Sequence, residues 1–242
     1  MICFFTSSPC VQGASELNPA NGFVEELRAA VPASCRVLFV TAEPDDIPWT
    51  EMVAGFTKDS LEHAGFCLEE YWILERRTAD RAGEWIASAD LIILAGGHVP
   101  TENRFFADLD LRMRLKGYDG VIVGISAGTM NSAEIVYAQP EREGESVNPG
   151  YCRFLPGLGL TKTMILPHYQ MVKDSWLDGQ RLFKDITYGD SCGRSFYALV
   201  DGSYILSRNG VEELRGEAYL IRDGHLRRLS NEGERLLLSK IN

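Results

Sequence analysis

The chain has 242 residues, of which 45% are hydrophobic and 24% are charged, and its formal net charge is −10. This length and composition predict a globular chain with a sizeable core, organised as a single domain over residues 1–242. The acidic balance argues against nucleic acid and anionic membrane surfaces as partners, and no apolar run approaches the length of a membrane span.

The six cysteines form no Cys-x-x-Cys pair and stand at no zinc-ligand spacing from a histidine. We therefore expect buried free thiols and no metal site, as is usual in a reducing cytosol. The first residues lack the basic segment and the long apolar run of a signal peptide, so cytoplasmic localisation is the expectation. The sequence leaves the oligomeric state open, including a homodimer.

Short apolar runs alternate with amphipathic segments through the first half of the chain. Two of the apolar runs, Val37–Val40 and Leu91–Leu94, have the uninterrupted apolar character of strands that are buried on both faces of a parallel sheet. The predicted elements are, in order, a strand at 2–6, a helix at 22–30, a strand at 37–40, a helix at 50–64, a strand at 66–72, a helix at 79–87, a strand at 91–94, a helix at 101–115 and a strand at 120–124. This alternation predicts an α/β fold with a doubly wound, mostly parallel sheet.

The second half of the chain has a different pattern. It begins with a helix-like run at 130–137, an exposed loop at 139–151, a strand at 164–166 and a helix at 175–186. Four short strands follow at 196–200, 203–207, 217–222 and 225–229. They are separated by the dipeptides Asp201-Gly202, Asn209-Gly210 and Asp223-Gly224, which are typical of hairpin turns. We therefore predict a C-terminal antiparallel meander that completes the sheet.

The strongest chemical signal is the segment Gly124-Ile125-Ser126-Ala127-Gly128, which directly follows the predicted strand at 120–124. Glycines two residues before and two after a serine allow the sharp turn of a nucleophile elbow, because they remove Cβ clashes. Such a serine stands at the carboxyl edge of the sheet, where open α/β folds bind their ligands. The backbone N–H of Ala127 is then one expected donor of an oxyanion hole. The alternative is a serine that merely caps a helix in a glycine-rich turn.

A nucleophilic serine needs a base and an acid that orients it. His168 ends the apolar run 164–167 and is the expected base, whereas His98 follows Gly96-Gly97 at the end of another strand and is the alternative. Asp201 ends a later strand and is the expected acid. Glu141, in the loop at 139–151, is the competing acid.

The pair Gly96-Gly97 follows the buried strand at 91–94. Two glycines at such a position let backbone N–H groups approach a ligand, and they indicate the second half of an oxyanion hole. A simple turn is the alternative interpretation of this pair.

Together these motifs resemble the peptidase E family, which includes α-aspartyl dipeptidase and cyanophycinase. The resemblance rests on Gly-x-Ser-Ala-Gly after a buried strand, on the preceding Gly-Gly, on Pro167-His168 and on Asp201-Gly202-Ser203. It is strongest from Leu91 to Ser203 and covers most of the chain in order and rough spacing. The fold that it implies is similar to that of class I glutamine amidotransferases, with serine in place of the elbow cysteine.

The resemblance also implies roles for individual residues. Ser126 matches the nucleophile and His168 the general base, while Asp201 stands where the family usually has a glutamate. Glu141 falls where the dipeptidases carry another acidic residue that has been regarded as catalytic. Gly97 and Ala127 match the oxyanion donors. The implied reaction is hydrolysis of a short peptide through an acyl-enzyme, without metal or cofactor.

Two positions depart from the dipeptidase pattern. His98 stands where those enzymes have asparagine, and Asp178 stands where they have the arginine that clamps the substrate aspartate. Because a carboxylate repels another carboxylate, we expect neutral or basic N-terminal residues to be preferred over aspartate. Arg181, one helical turn further on if this segment is helical, is the alternative clamp.

The preferred function is therefore a serine peptidase of the exopeptidase or dipeptidase type. An esterase or amidase that acts on small acyl substrates would share the same catalytic residues. A catalytically silent binding protein that kept the fold is the alternative from another functional class.

Overall fold

Five parallel strands form the centre of the molecule in the computed structural model, which describes residues 1–241. They are β1 (Ile2–Thr6), β2 (Ser34–Val40), β3 (Cys67–Leu74), β4 (Leu91–Leu94) and β5 (Val121–Ile125). Their order across the sheet is β1-β5-β4-β2-β3, with every neighbouring pair parallel. A large, mostly parallel central sheet is thus confirmed.

Helices cover both faces of these parallel strands. The helices of this half are α1 (Phe23–Ala30), α2 (Ile47–His63), α3 (Ala82–Ser88), α4 (Val99–Asp108) and α5 (Leu111–Arg114). Apolar side chains of α1 and α2 pack on one face, and those of α3, α4 and α5 pack on the other. The helix predicted at 101–115 is two helices, because the chain turns at Asp110, where φ is +49°.

Short elements follow the strand that carries the candidate nucleophile. They are helix α6 (Ala127–Asn131), the antiparallel pair β6 (Ile135–Tyr137) and β7 (Phe154–Pro156), strand β8 (Met164–Leu166) and helix α7 (Tyr169–Val172). The helix predicted at 130–137 is therefore wrong, since the real helix begins and ends earlier and a strand follows it.

The helix predicted at 175–186 is wrong over its first part, and only the end of this segment is helical. Strands β9 (Trp176–Leu177) and β10 (Gln180–Arg181) form a small hairpin, which precedes a π-helical turn at Leu182–Thr187 and helix α8 (Tyr188–Asp190). The hairpin turns at Asp178-Gly179, where both φ angles are positive, at +50° and +77°. Asp-Gly is the typical dipeptide of such a tight turn, so local turn chemistry outweighed the apolar spacing.

The C-terminal strands do not form the single meander that the sequence predicted. They are β11 (Ser195–Leu199), β12 (Tyr204–Arg208), β13 (Val211–Arg215), β14 (Ala218–Arg222), β15 (His225–Ser230) and β16 (Arg235–Leu237). β12, β13 and β16 extend the central sheet from β1 in antiparallel order, giving it eight strands. β8, β11, β14 and β15 form a second sheet of four strands.

Two of the three predicted hairpin turns are present, at Asn209-Gly210 and Asp223-Gly224. At Asp201-Gly202 the chain instead crosses from the small sheet to the central sheet, because β11 pairs with β8 and β14 and not with β12. The crossing brings Asp201 to the carboxyl edge of the central strands.

Two further features concern the cysteines and the helices. The described cysteines are all free, as expected, but Cys67, Cys152 and Cys192 are exposed rather than buried. Among residues 1–241, no helix is both long enough and apolar enough to cross a membrane.

Candidate active site

The segment around Ser126 forms a sharp turn between β5 and α6. Ser126 has φ +49° and ψ −108°, outside the helical and extended regions, which is a strained conformation for a residue with a Cβ. A Cβ on Gly124 would lie 2.9 Å from Cα of Thr129, and one on Gly128 would collide with the carbonyl oxygen of Leu94. The two glycines are thus needed for close backbone approach, and the turn has the form expected of a nucleophile elbow.

Ser126, His168 and Asp201 form one hydrogen-bonded chain. His168 Nε2 lies 3.0 Å from Ser126 Oγ, and His168 Nδ1 lies 2.7 Å from Asp201 Oδ1. With its proton on Nδ1, the imidazole donates to the carboxylate and accepts the serine hydroxyl, which is the geometry of a catalytic triad. The structure therefore brings together the three residues that the sequence proposed as nucleophile, base and acid.

Two further residues hold the carboxylate of Asp201 in place. Ser7 Oγ donates to Asp201 Oδ1 at 2.6 Å, and Gln170 Nε2 donates to Oδ2 at 2.7 Å. Ser7 Oγ also accepts the backbone N–H of His168 at 2.7 Å. Although burial alone would raise it, the hydrogen bonds from His168, Ser7 and Gln170 lower the pKa of Asp201. The acid thus stays ionised beside the imidazole.

Two backbone N–H groups close to the Ser126 turn are candidate donors for an oxyanion. The N–H groups of Gly97 and Ala127 make no hydrogen bond to any backbone carbonyl of the described residues. A Cβ on Gly96 would lie 3.2 Å from Cβ of Ser126, so the Gly96-Gly97 turn passes directly beside the elbow. Two free donors beside a serine are the components of an oxyanion hole.

His98, the alternative base, is engaged elsewhere. Its Nδ1 lies 2.7 Å from Thr101 Oγ1 and its Nε2 lies 2.8 Å from Glu145 Oε1, so both ring nitrogens are occupied. His168, and not His98, is the histidine that contacts Ser126. His98 instead joins the Gly96-Gly97 turn to the loop at 139–151.

Glu141, the competing acid, does not contact a ring nitrogen of His168. Its backbone N–H donates to Glu145 Oε2 at 2.8 Å, and the N–H of Val99 faces its carboxylate. Solvent reaches the side chain, but protein surrounds the carboxyl group on most sides. Burial and the Glu145 carboxylate raise the pKa of Glu141 to about 7, against the opposing effects of Val99, Arg142 and His168. Glu141 thus lies within electrostatic range of the base without taking the place of Asp201.

Asp178 uses its carboxylate to hold the neighbouring loop. Oδ1 accepts the N–H of Gly144 at 2.8 Å, and Oδ2 accepts both the N–H and the hydroxyl of Ser146 at 3.1 and 2.6 Å. Both carboxylate oxygens of Asp178 are thus hydrogen-bonded to the loop. This gives Asp178 a structural role, in addition to the expected role of repelling a substrate carboxylate. Arg181 pairs with Asp185 through three atom contacts and is no free clamp.

The loop at 139–151 is less exposed than the sequence suggested. Gln139, Pro140 and Ser146 are buried. The loop is fixed at three points, by Asp178, by the Glu145–His98 pair and by Arg142, whose Nη2 lies 2.7 Å from Glu43 Oε1. A loop that is held in this way and contacts His98 can take part in substrate recognition.

Sequence reasoning missed Ser7, Gln170 and Glu145. Ser7 directly follows β1 at the carboxyl edge of the sheet, which is a usable signal, and Gln170 lies two residues after His168. No sequence pattern points to Glu145, because it is one of several charged residues in a polar loop. No group of three or more histidine, cysteine or acidic side chains in residues 1–241 is arranged to hold a metal ion.

Comparison with known proteins identifies the fold. No family model matches the chain, and no curated protein matches it. Two solved structures are similar over nearly the whole chain. One is a peptidase from an acI-B1 actinobacterium, with 16% identity, a TM-score of 0.69, and 98% of this chain and 96% of that chain covered. The other, provisionally named peptidase E, is from Listeria monocytogenes EGD-e, with 17% identity, a TM-score of 0.59, and 95% and 98% covered.

The chain therefore has an α/β fold that is found in peptidases. More specifically, the fold is peptidase E-like, in agreement with the resemblance that the sequence motifs gave. At this level of identity the likeness establishes architecture, and activity has to be argued from the residues themselves.

Proposed function

We propose that the protein is a serine peptidase that cleaves short peptides through an acyl-enzyme on Ser126. The observation that carries the proposal is the chain of contacts from Ser126 Oγ to His168 Nε2 at 3.0 Å and from His168 Nδ1 to Asp201 Oδ1 at 2.7 Å. The solved structures of similar fold support the choice of peptides, since one is named a peptidase and the other is provisionally named peptidase E.

The proposed reaction has two halves. Ser126 Oγ attacks the scissile carbonyl carbon while its proton passes to His168 Nε2, and the N–H groups of Gly97 and Ala127 stabilise the oxyanion. His168 then gives the proton to the leaving amine, which leaves an ester on Ser126. Water repeats the sequence, with His168 as base and then as acid, and releases the carboxylic acid. Asp201 keeps the imidazole in the required tautomer throughout.

The finer assignments belong to the same proposal. The sheet is interpreted as a doubly wound arrangement of the class I glutamine amidotransferase type, formed by one domain over the chain. The cleavage is interpreted as the exopeptidase or dipeptidase kind, as the resemblance of the sequence motifs to the peptidase E family implies. The same residues could also hydrolyse small esters, so a panel of ester and peptide substrates measures which acyl group is preferred.

Labelling with a fluorophosphonate probe tests the proposal. The wild-type protein is expected to be labelled at Ser126, and Ser126→Ala is expected to lose all labelling. Ser239→Ala is the matched control, because Ser239 is exposed and lies outside the site, and it is expected to label normally. Absence of labelling in the wild-type protein, or full labelling of Ser126→Ala, contradicts the proposal and leaves a silent binding protein.

A further inference from the structure

The Gly96-Gly97 turn, which carries a candidate oxyanion donor, is held by the residues at its two ends. Just before the turn, the carbonyl of Ala95 accepts the N–H of Gly128 at 2.9 Å. Neither glycine of the pair makes a backbone hydrogen bond within residues 1–241. Because glycine has no Cβ to restrict its backbone, the direction of the Gly97 N–H depends on how its neighbours are held. His98 follows directly and is the first anchored residue on the other side of the turn.

His98 is anchored through three of its atoms. Its backbone carbonyl accepts the N–H of Glu102 at 3.1 Å, in the first turn of α4. Its Nδ1 lies 2.7 Å from Thr101 Oγ1, and its Nε2 lies 2.8 Å from Glu145 Oε1. The side chain is only 10% exposed, so water competes little for these contacts. Both the backbone and the ring of His98 are therefore fixed.

The contact between His98 and Glu145 is one between an N–H donor and a carboxylate. Although burial alone would raise it, hydrogen bonds from the backbone N–H groups of Arg142 and Glu141 and from His98 lower the pKa of Glu145. An ionised carboxylate only accepts hydrogen bonds, so the imidazole donates a proton on Nε2 to Glu145. Hydrogen bonds of this kind are about twice as strong as those between neutral groups.

Glu145 is itself a fixed point of the loop at 139–151. The residues on either side of it, Gly144 and Ser146, donate their backbone N–H groups to the carboxylate of Asp178 at 2.8 and 3.1 Å. Asp178 lies at the turn between β9 and β10. The loop therefore connects this hairpin with His98, and it holds the imidazole from outside the helix to which His98 leads.

We propose that His98, held by Glu145, is a positioning residue that directs the Gly97 N–H at the oxyanion formed during acyl transfer to Ser126. The inference rests on the proposed function and assigns the two histidines at this edge of the sheet different tasks. His168 transfers the proton, whereas His98 acts through the backbone of its neighbour and does not touch the substrate. A misplacement of about 1 Å can cost about 100-fold in rate, so a poorly directed donor has a measurable effect.

The rate constant for fluorophosphonate labelling of Ser126 tests the proposal. Labelling places negative charge on the phosphoryl oxygen, which the oxyanion donors stabilise. His98→Asn keeps a polar group near Thr101 but is too short to reach Glu145, and it should label about 10- to 100-fold more slowly than the wild-type protein. His98→Gln places an N–H donor near the position of Nε2 and should stay within about threefold of the wild-type rate.

Removing the other partner should have the same effect. Glu145→Ala should slow labelling by a factor similar to that of His98→Asn. The double variant should lose little more than either single variant, because both changes break one contact. Additive losses in the double variant would overturn the proposal, since they would show that the two side chains act independently.

Arg142→Gln is the matched control. It removes another anchor of the same loop, the 2.7 Å contact between Arg142 and Glu43, and leaves the contact between His98 and Glu145 in place. It is expected to label at the wild-type rate. Equal slowing in Arg142→Gln and His98→Asn would show only a general need for the loop, and it would overturn the proposal.

Thermal unfolding of each variant separates positioning from stability. A purely structural role of His98 lowers Tm and leaves the labelling rate of the folded protein unchanged, and this result overturns the proposal while the serine mechanism stands. Equal slowing in His98→Gln and His98→Asn overturns it as well. If His98→Asn does not fold, Glu145→Ala decides in the same way. If the wild-type protein is not labelled at all, the proposed function fails, and this inference fails with it.

Discussion

The residues around Ser126 and the loop at 139–151 differ in how completely their polar side chains are paired. Ser126, His168 and Asp201 form a continuous hydrogen-bonded chain that Ser7 and Gln170 extend. In the loop, the carboxylate of Glu141 makes no hydrogen bond or ion pair with a side chain of the described residues.

This difference agrees with the proposed function. Groups that carry out the chemistry have to be oriented before the substrate arrives, and they are therefore hydrogen-bonded in the free protein. The chain from Ser126 to Asp201 is thus expected to control kcat, and Glu141, which lies outside this chain, is expected to affect kcat less.

The largest expected effect comes from removing the nucleophile or the base. Ser126→Ala and His168→Ala should each lower kcat by about 10⁶-fold, and the double variant should lose little more, because the two residues act as one unit. The measurement is kcat on one neutral ester and one peptide. Additive losses in the double variant would show that the two residues act separately.

The next effect distinguishes the two acids. Asp201→Asn should lower kcat on a neutral N-acetyl substrate by about 10⁴-fold, since the imidazole would then adopt the wrong tautomer. Glu141→Gln should leave kcat on that same substrate nearly unchanged. If Glu141→Gln lowers kcat on this substrate more than Asp201→Asn does, Glu141 is the acid of the triad. The contrast between the hydrogen-bonded chain at Ser126 and the loop at 139–151 is then wrong.

A smaller effect is expected at Ser7. Its hydroxyl bonds both to Asp201 Oδ1 and to the N–H of His168, and a hydrogen bond to a charged group contributes about 1.5–3 kcal/mol. Ser7→Ala should therefore lower kcat about 10- to 100-fold. Because one of the hydrogen bonds that lower the pKa of Asp201 is lost, this pKa should rise, and activity should be lost at higher pH on acidification. The pH profile of kcat reports the shift, which a purely structural role of Ser7 would not produce.

The smallest effect concerns stability. The folded-state pKa of Glu141 is raised to about 7, so the folded protein holds a proton that the unfolded chain has already lost between about pH 4.5 and 7. Its ionisation therefore lowers stability as pH rises through this window. Glu141→Gln should match the wild-type Tm near pH 4 and exceed it by a few degrees at pH 8. Thermal unfolding at both values checks this, with Glu143→Gln as the control, and identical Tm differences at the two values contradict it.

Local patterns in the sequence predicted the central part of the site well. The elbow around Ser126 is local, because a buried strand and two glycines define it within a few residues. His168 and Asp201 could be placed because each ends a strand, and the carboxyl ends of strands lie at the same edge of the sheet. The hydrogen bonds to Ser7 and Gln170 depend on contacts between residues 31 to 194 positions apart, and no local pattern encodes such contacts.

The wrong predictions have two physical causes. At 175–186 the apolar spacing favoured a helix, whereas Asp178-Gly179 favoured a tight turn that determined the structure. In the C-terminal region four of the six strands were predicted, whereas β13, β16 and the pairing of the strands were not. Pairing depends on which edge a strand meets, and strands of similar composition were divided between two sheets.

The crossing at Asp201-Gly202 has a consequence for how the protein loses activity. Ser126 follows a strand of the central sheet, while His168 and Asp201 follow β8 and β11, which are parallel neighbours in the small sheet. A displacement of the small sheet as a body would therefore keep the 2.7 Å contact between His168 and Asp201. It would change the 3.0 Å contact between His168 and Ser126 and the hydrogen bonds of Ser7, which span the two sheets. A misplacement of about 1 Å can reduce a rate about 100-fold. The turnover rate therefore reports how well the two sheets are aligned. On heating, turnover should therefore fall before the helical circular-dichroism signal does.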